Sequence, residues 1–209
     1  MKASMVLALV AVLISLAPAQ TSSSAADLDQ KVRAYLEAQK SQTRAGHFSD
    51  SDGKLLYDMI LKNNYTRAVD IGTGMGQSAI WMAWALSKTG GKLITIEIDE
   101  TRYRAALARF QDAGLAPYID ARLADALKLL PQLSGPFDFV FMDAPTLYAR
   151  EFFDSVARQL VVGGRYLTHG VRGDGDLPEY FDYLKSLKNF ETTFNTGGEF
   201  SVTTKTSER

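Results

Sequence analysis

The stretch AVDIGTGMGQSAI, residues 68–80, runs from apolar residues through three closely spaced glycines into a segment with helical periodicity. The β-type run RAVDI (67–71) and the helical pattern over 77–88 predict a strand, a tight turn and a helix. Gly72, Gly74 and Gly76 let the backbone take conformations closed to other residues and come close to a ligand. The helix that opens at Gln77-Ser78 offers unpaired N–H groups to an anion. Taken alone the loop also reads as a plain strand-to-helix turn.

Working outward, β-type runs recur at KLITIEI (92–98), YIDARL (118–123), FDFVFM (137–142) and RYLTHG (165–170). Helical patterns lie between and after them at 101–113, 125–130, 149–160 and 177–188. Strand then helix, repeated, predicts an α/β fold whose sheet is mostly parallel, with helices on both faces. The chain then closes with FETTFNTGGEFSVTTKT, two Thr/Phe/Val-rich runs about a glycine turn, which predicts an antiparallel hairpin and brings the sheet to seven strands. Upstream, DLDQKVRAYLEAQK places Leu28, Val32, Tyr35 and Leu36 on one helix face, beyond a polar linker near 20–25. Ser51 or Asp52 is the expected N-cap of the following helix.

The N-terminus carries Lys2, an apolar run from Met5 to Ala17 and the small-residue site Ala17-Pro18-Ala19, the pattern of a secretory signal peptide cleaved before Gln20. The expected organisation is therefore 1–19 signal peptide, 20–45 linker and N-terminal helix, and 46–209 one ligand-binding domain, destined for the periplasm or secretion. The 23 Lys+Arg against 24 Asp+Glu give a net charge of −1, so no basic surplus points to nucleic acid. No membrane contact is expected beyond the signal segment, and a homodimer is compatible with the sequence. With no cysteine there is neither a disulfide framework nor a thiolate metal site.

In a sheet of this kind ligands sit outside the carboxyl ends of the strands, where strand order reverses. Those ends carry Asp70 and the glycines, then Glu97 or Asp99 where a carboxylate accepts from a ribose diol, then Asp125 where an adenine amino group donates. Each carboxylate separately also reads as a helix N-cap or a solvated charge. The glycines fall as G-x-G-x-G rather than the G-x-G-x-x-G of a dinucleotide site, which argues against a nicotinamide oxidoreductase.

With VDIGTGMGQSAIWMA, LITIEIDETRY, ADALKLLPQL and FDFVFMDA in this order, the chain over roughly 45–205 resembles the class I S-adenosylmethionine-dependent methyltransferases, and among them the catechol and caffeoyl-CoA O-methyltransferases. The resemblance implies a Rossmann-like sheet, S-adenosyl-L-methionine as cofactor and a small hydroxylated acceptor. It implies that Asp70, Gly72, Gly74 and Gly76 form the cofactor loop, with Gly72 and Gly74 against the methionine part. By the same resemblance Ser78 would hold the methionine carboxylate, Glu97 the ribose, Asp125-Ala126 would border the adenine, and Asp143 would close the cofactor site. Ala124 stands where the family usually has glycine.

The acceptor side departs from the pattern. Relatives resemble D-A-D-K after strand four and D-N after strand five, hard oxygen ligands suited to Mg²⁺. Here the chain reads Asp143-Ala144-Pro145-Thr146 and Thr168-His169-Gly170, so the usual Mg²⁺ mechanism is not expected. His169 and Asp143 are the catalytic candidates, with His169 as general base for a weakly acidic hydroxyl. His169 also reads as a Zn²⁺ or Fe²⁺ ligand with Asp143, or as a histidine that only bonds nearby backbone. The missing lysine and D-N pair leave open a non-catalytic S-adenosylmethionine or nucleoside binder of the same fold. Tyr148 reads as packing or acceptor contact, Trp81 and Trp84 as core, and His47 as surface or entrance.

Overall fold

The computed structural model describes residues 20–40, 48–171, 177–194 and 200–208; the expected signal segment and His47 lie outside them. The chain enters through helices α1 (Gln20–Gln39) and α2 (Asp50–Asn63). It then alternates β1 (Arg67–Ile71), α3 (Gln77–Thr89), β2 (Lys92–Glu97), α4 (Glu100–Asp112), β3 (Ile119–Leu123), α5 (Ala126–Leu129), β4 (Phe137–Met142), α6 (Ala149–Val156), β5 (Leu160–His169) and α7 (Leu177–Ser186). Strands β6 (Phe190–Phe194) and β7 (Phe200–Lys205) end it.

The sheet has seven strands in the order β3-β2-β1-β4-β5-β7-β6. Its first five strands are parallel, and β7 pairs antiparallel with both β5 and β6, as the terminal hairpin requires. The order reverses between β1 and β4, whose registers run from Ala68↔Phe139 to Ile71↔Met142. A crevice for a ligand forms at such a reversal.

Strands buried on both faces read as continuous apolar runs, and β4 is one. Phe139 and Phe141 face a core built with Val32, Leu56, Ile60 and Trp84 from α1, α2 and α3. Val140 and Met142 face a second core with Phe152, Phe153, Tyr166 and Tyr180 from α6, β5 and α7. Trp84 is buried as expected of a core residue, and its indole N–H donates to Asp29 (2.7 Å).

Three expectations need correction. No linker separates α1 from residue 20, because the helix begins at Gln20 and takes in the polar TSSS run. The N-cap of α2 is Ser49, not Ser51 or Asp52. Ser49 Oγ accepts from Asp52 N–H (3.2 Å) while Asp52 Oδ2 accepts from Ser49 N–H (2.8 Å), a capping box in which Asp52 is the third helical residue. Strand β5 starts at Leu160 rather than Arg165. Pairing with β4 passes from Phe137↔Leu160 to Phe139↔Arg165, so the extra residues bulge at Gly163 (φ +81°), whose glycine pair looks like a turn in the sequence.

Candidate active site

The carboxyl ends of β1, β2, β4 and β5 converge on the glycine loop. Asp143 N–H donates to Ile71 O (2.9 Å), and the N–H groups of Gly72 and Thr73 donate to Ile96 O (3.0 and 3.1 Å), so the loop is pinned to β4 and β2 at once. Gly72 has φ +95°, and a Cβ there would stand 2.4 Å from the Asp143 carbonyl oxygen; only glycine fits between the two strand ends. Gly74 (φ +54°) differs, since a Cβ there would meet nothing within 4 Å. Its face of the loop is open, and this is where a ligand can approach the backbone. Gly76 caps α3, which starts at Gln77.

Asp70 and Ser78 lie beneath this loop. Asp70 is fully buried, Thr95 Oγ1–H donates to its Oδ2 (2.7 Å), and Ser78 Oγ lies 3.4 and 3.3 Å from its two oxygens. Thr73 Oγ1 is 2.5 Å from Thr95 Oγ1, which ties the loop to its floor. Burial pushes the Asp70 carboxyl up to about 8; the hydroxyls of Thr95 and Ser78 oppose the rise, and the carboxylates of Asp143 and Glu97 add to it.

Glu97, at the end of β2, turns its carboxylate to the loop. Oε2 accepts from Gly74 N–H (2.7 Å), and Oε1 accepts from the N–H groups of Ile98 and Asp99 (3.0 and 2.9 Å). Asp99 is the N-cap of α4, its Oδ1 taken by Arg102 N–H (2.8 Å), so of the two acids at this strand end Glu97 faces the loop. Asp125 caps α5 through Leu127 N–H (3.0 Å), and Lys128 Nζ stands 3.4 Å from its other oxygen; Ala126 opens that helix, half-buried. Ala124 N–H donates to Glu97 O (2.8 Å), which brings the β3 end beside the β2 end.

On the other side of the loop His169 Nδ1 lies 3.0 Å from Asp143 Oδ1. The imidazole ends β5 opposite Phe200 of β7 and packs against Phe200, Phe48 and Phe141, with ring centroids 4.9, 5.8 and 6.0 Å away. Its side chain is 12% exposed, while that of Asp143 is 39% exposed. The three phenylalanines around the histidine come from an N-terminal segment, β4 and the last strand, and residue-by-residue reading did not single them out. Thr73 and Thr95 were missed as well; the one signal was a lone hydroxyl in the apolar run LITIEI. Tyr148 sits in a 3-10 turn after β4, partly exposed and edge-on to Phe152.

A family model described as O-methyltransferase matches residues 20–171 of the chain. The chain is similar to catechol O-methyltransferase of Niastella koreensis, 34% identical over 150 residues that make up 68% of this chain and 67% of that protein. It is similar to catechol O-methyltransferase of Mycobacterium tuberculosis, 35% identical over 97 residues, 46% of this chain and 44% of that protein. The chain thus spans about two thirds of the first relative's length and under half of the second's. Among solved structures it is similar to the O-methyltransferase TomG of Streptomyces achromogenes in complex with S-adenosylmethionine, at 26% identity and a TM-score of 0.69, over 86% of this chain and 89% of that one.

Proposed function

Because the chain belongs to the O-methyltransferase family, we propose that it transfers a methyl group from S-adenosylmethionine to the hydroxyl oxygen of a small acceptor, with His169 as general base oriented by Asp143. The observation that carries the catalytic part is the 3.0 Å contact between His169 Nδ1 and Asp143 Oδ1, next to a loop open at Gly74.

The loop fits the cofactor by its chemistry. A backbone free of side chain at Gly74, flanked by the Glu97 carboxylate, suits a ligand that presents ribose hydroxyls and a positive charge. Glu97 would hold the ribose, Asp125-Ala126 the adenine edge, and Gly72 and Gly74 the methionine part. Ser78 Oγ is turned to the buried Asp70, so in this reading Asp70 and Ser78 support the loop from below and Ser78 does not hold the methionine carboxylate through its hydroxyl. S-adenosylmethionine supplies, when bound, a methyl group on a sulfonium.

The chain's own share is positioning and proton transfer. With Asp143 Oδ1 accepting from Nδ1–H, the tautomer is the one whose lone pair is on Nε2. Nε2 takes the proton of the acceptor hydroxyl as its oxygen attacks in line, and Asp143 steadies the imidazolium that forms. The aromatic walls of Phe48, Phe141 and Phe200 hold the ring to one orientation.

The Mg²⁺ that the resemblance brings with it does not fit these donors. Among the described residues no group of three His, Cys, Asp or Glu side chains is placed to hold a metal ion, and one carboxylate beside one imidazole is not the oxygen cage a hard cation takes.

Residues 1–19 we propose as an export signal, which leaves the enzyme outside the cytoplasm. It is supported by Lys2, the apolar run and Ala17-Pro18-Ala19, and the N-terminal sequence of the secreted chain tests it.

The deciding experiment is calorimetry with S-adenosylmethionine and S-adenosylhomocysteine, followed by methyl transfer to a panel of catechols and other phenols. Binding of both ligands and turnover that His169→Ala abolishes are expected. No binding at millimolar ligand overturns the reading, and turnover that survives His169→Ala overturns the role of the histidine.

A further inference from the structure

We propose that Asp70 is a proton-linked positioning residue of the cofactor loop, whose ionised form selects a cationic sulfonium donor over its uncharged thioether product. The inference rests on the reading that the glycine loop holds S-adenosylmethionine.

Asp70 has no exposed surface and sits two residues before Gly72. The groups that face it are known from each neighbouring element. From β2 come Thr95 Oγ1, at 2.7 Å, and the Glu97 carboxylate. From α3 come Ser78 Oγ and the positive end of the helix, which starts at Gln77. From the end of β4 comes the Asp143 carboxylate, whose Oδ1 lies 3.0 Å from His169 Nδ1. The side-chain charges that act on Asp70 are thus both negative. Burial beside two anions makes the protonated form the resting one near neutrality.

Protonation also sets the polarity of the hydroxyl chain above it. With Asp70 ionised, Thr95 donates to the carboxylate and Thr73 donates to Thr95. With Asp70 protonated, the carboxyl has a proton of its own to give, Thr95 can accept it, and Thr73 becomes the acceptor at the end of the chain. Thr73 stands between Gly72 and Gly74, so the hydroxyl chain links the buried acid to the loop.

A positive charge brought to the loop favours the ionised carboxyl, which then loses its proton to solvent: COOH becomes COO⁻ with one H⁺ released. A thioether carries no such charge and leaves the proton in place. Below about pH 8 the donor has to expel this proton and the product does not. The ratio of donor to product affinity therefore rises with pH, by at most about tenfold per unit, and levels off above that value.

The test is calorimetry of the full chain with S-adenosylmethionine and with S-adenosylhomocysteine, between pH 6 and 9.5, in buffers of different ionisation enthalpy. At pH 7 the donor should release close to one proton more than the product does, and this excess should vanish by pH 9.5. The ligands' amino groups titrate in the same range, near ~8, and Asp70→Asn supplies their baseline. That variant should lose the excess, and its ratio of donor to product affinity should no longer rise with pH. Should Asp70→Asn not fold, Thr95→Val removes the hydroxyl that favours the ionised acid and should move the midpoint of the excess release to higher pH. Equal proton release with the two ligands, an excess that persists in Asp70→Asn, or an unmoved midpoint in Thr95→Val overturns the inference. No binding heat with either ligand overturns the donor reading beneath it.

Discussion

The roles proposed for His169 and Glu97 differ, and the difference is measurable. General-base catalysis contributes about 10² to 10⁴ in rate, so His169→Ala should lower kcat by that order and leave cofactor affinity by calorimetry unchanged. Asp143→Asn keeps the side-chain shape but prefers the other tautomer of the imidazole, and should lower kcat with KM for the acceptor nearly constant. Glu97→Ala should act on binding instead. It removes a carboxylate that takes three backbone N–H groups. The loss should weaken the cofactor by roughly tenfold or more, since hydrogen bonds to a charged group contribute about 1.5–3 kcal/mol. The placement of these residues at strand ends was legible in the sequence, because a strand followed by a helix puts its last residues at the carboxyl edge of the sheet. Their partners were not: which oxygen faces which donor depends on strand order, and strand order has no local signal.

At the level of the elements, the two ends joined at β1 and β4 carry the most stringent demand. Gly72→Ala forces a side chain into φ +95° and into the Asp143 carbonyl at 2.4 Å. It should destabilise the fold by more than the roughly 1–2 kcal/mol of left-handed backbone strain alone, read as a lowered midpoint in urea. Gly74→Ala meets the same kind of backbone strain but no clash. It should stay folded and lose cofactor affinity, so the pair separates support from contact. Ser49→Ala breaks the α2 capping box and should cost about 1 kcal/mol with activity retained. Helix and strand positions were largely readable from period, because burial on one face or both imposes it. The start of β5 was not, since a bulge at Gly163 stabilised by its β4 partner overrides the turn preference of two glycines. Nor was the cap of α2, because serine and aspartate occur together there and only backbone geometry says which one begins the helix.

For the whole molecule, Asp70 makes stability depend on pH. Its carboxyl titrates near 3.8 when the chain is unfolded and at about 8 in the fold, so between these values the folded state holds a proton that the unfolded state has lost. Stability of the unliganded protein should therefore fall as pH rises through that window and level off above it; thermal melts from pH 5 to 9 should show this slope, and Asp70→Asn should reduce it. Exhaustive dialysis against a chelator should leave kcat within about twofold, because among the described residues the acceptor side offers the Asp143 carboxylate and the His169 imidazole rather than an oxygen cage. Among the described residues no helix is long and apolar enough to cross a membrane. By itself the sequence determined the α/β class, the order of strands and helices along the chain, the closing hairpin and the residues at each strand end. These follow from local periodicity and glycine placement, which act over a few residues. Only the tertiary structure decided that Asp143 and His169, 26 residues apart, share a hydrogen bond, that Phe48 and Phe200 close on the histidine from the two ends of the chain, and that Asp70 lies sealed beneath the loop. The physical reason is that burial and pairing are properties of the packed sheet, set by which strands become neighbours and by what their helices cover.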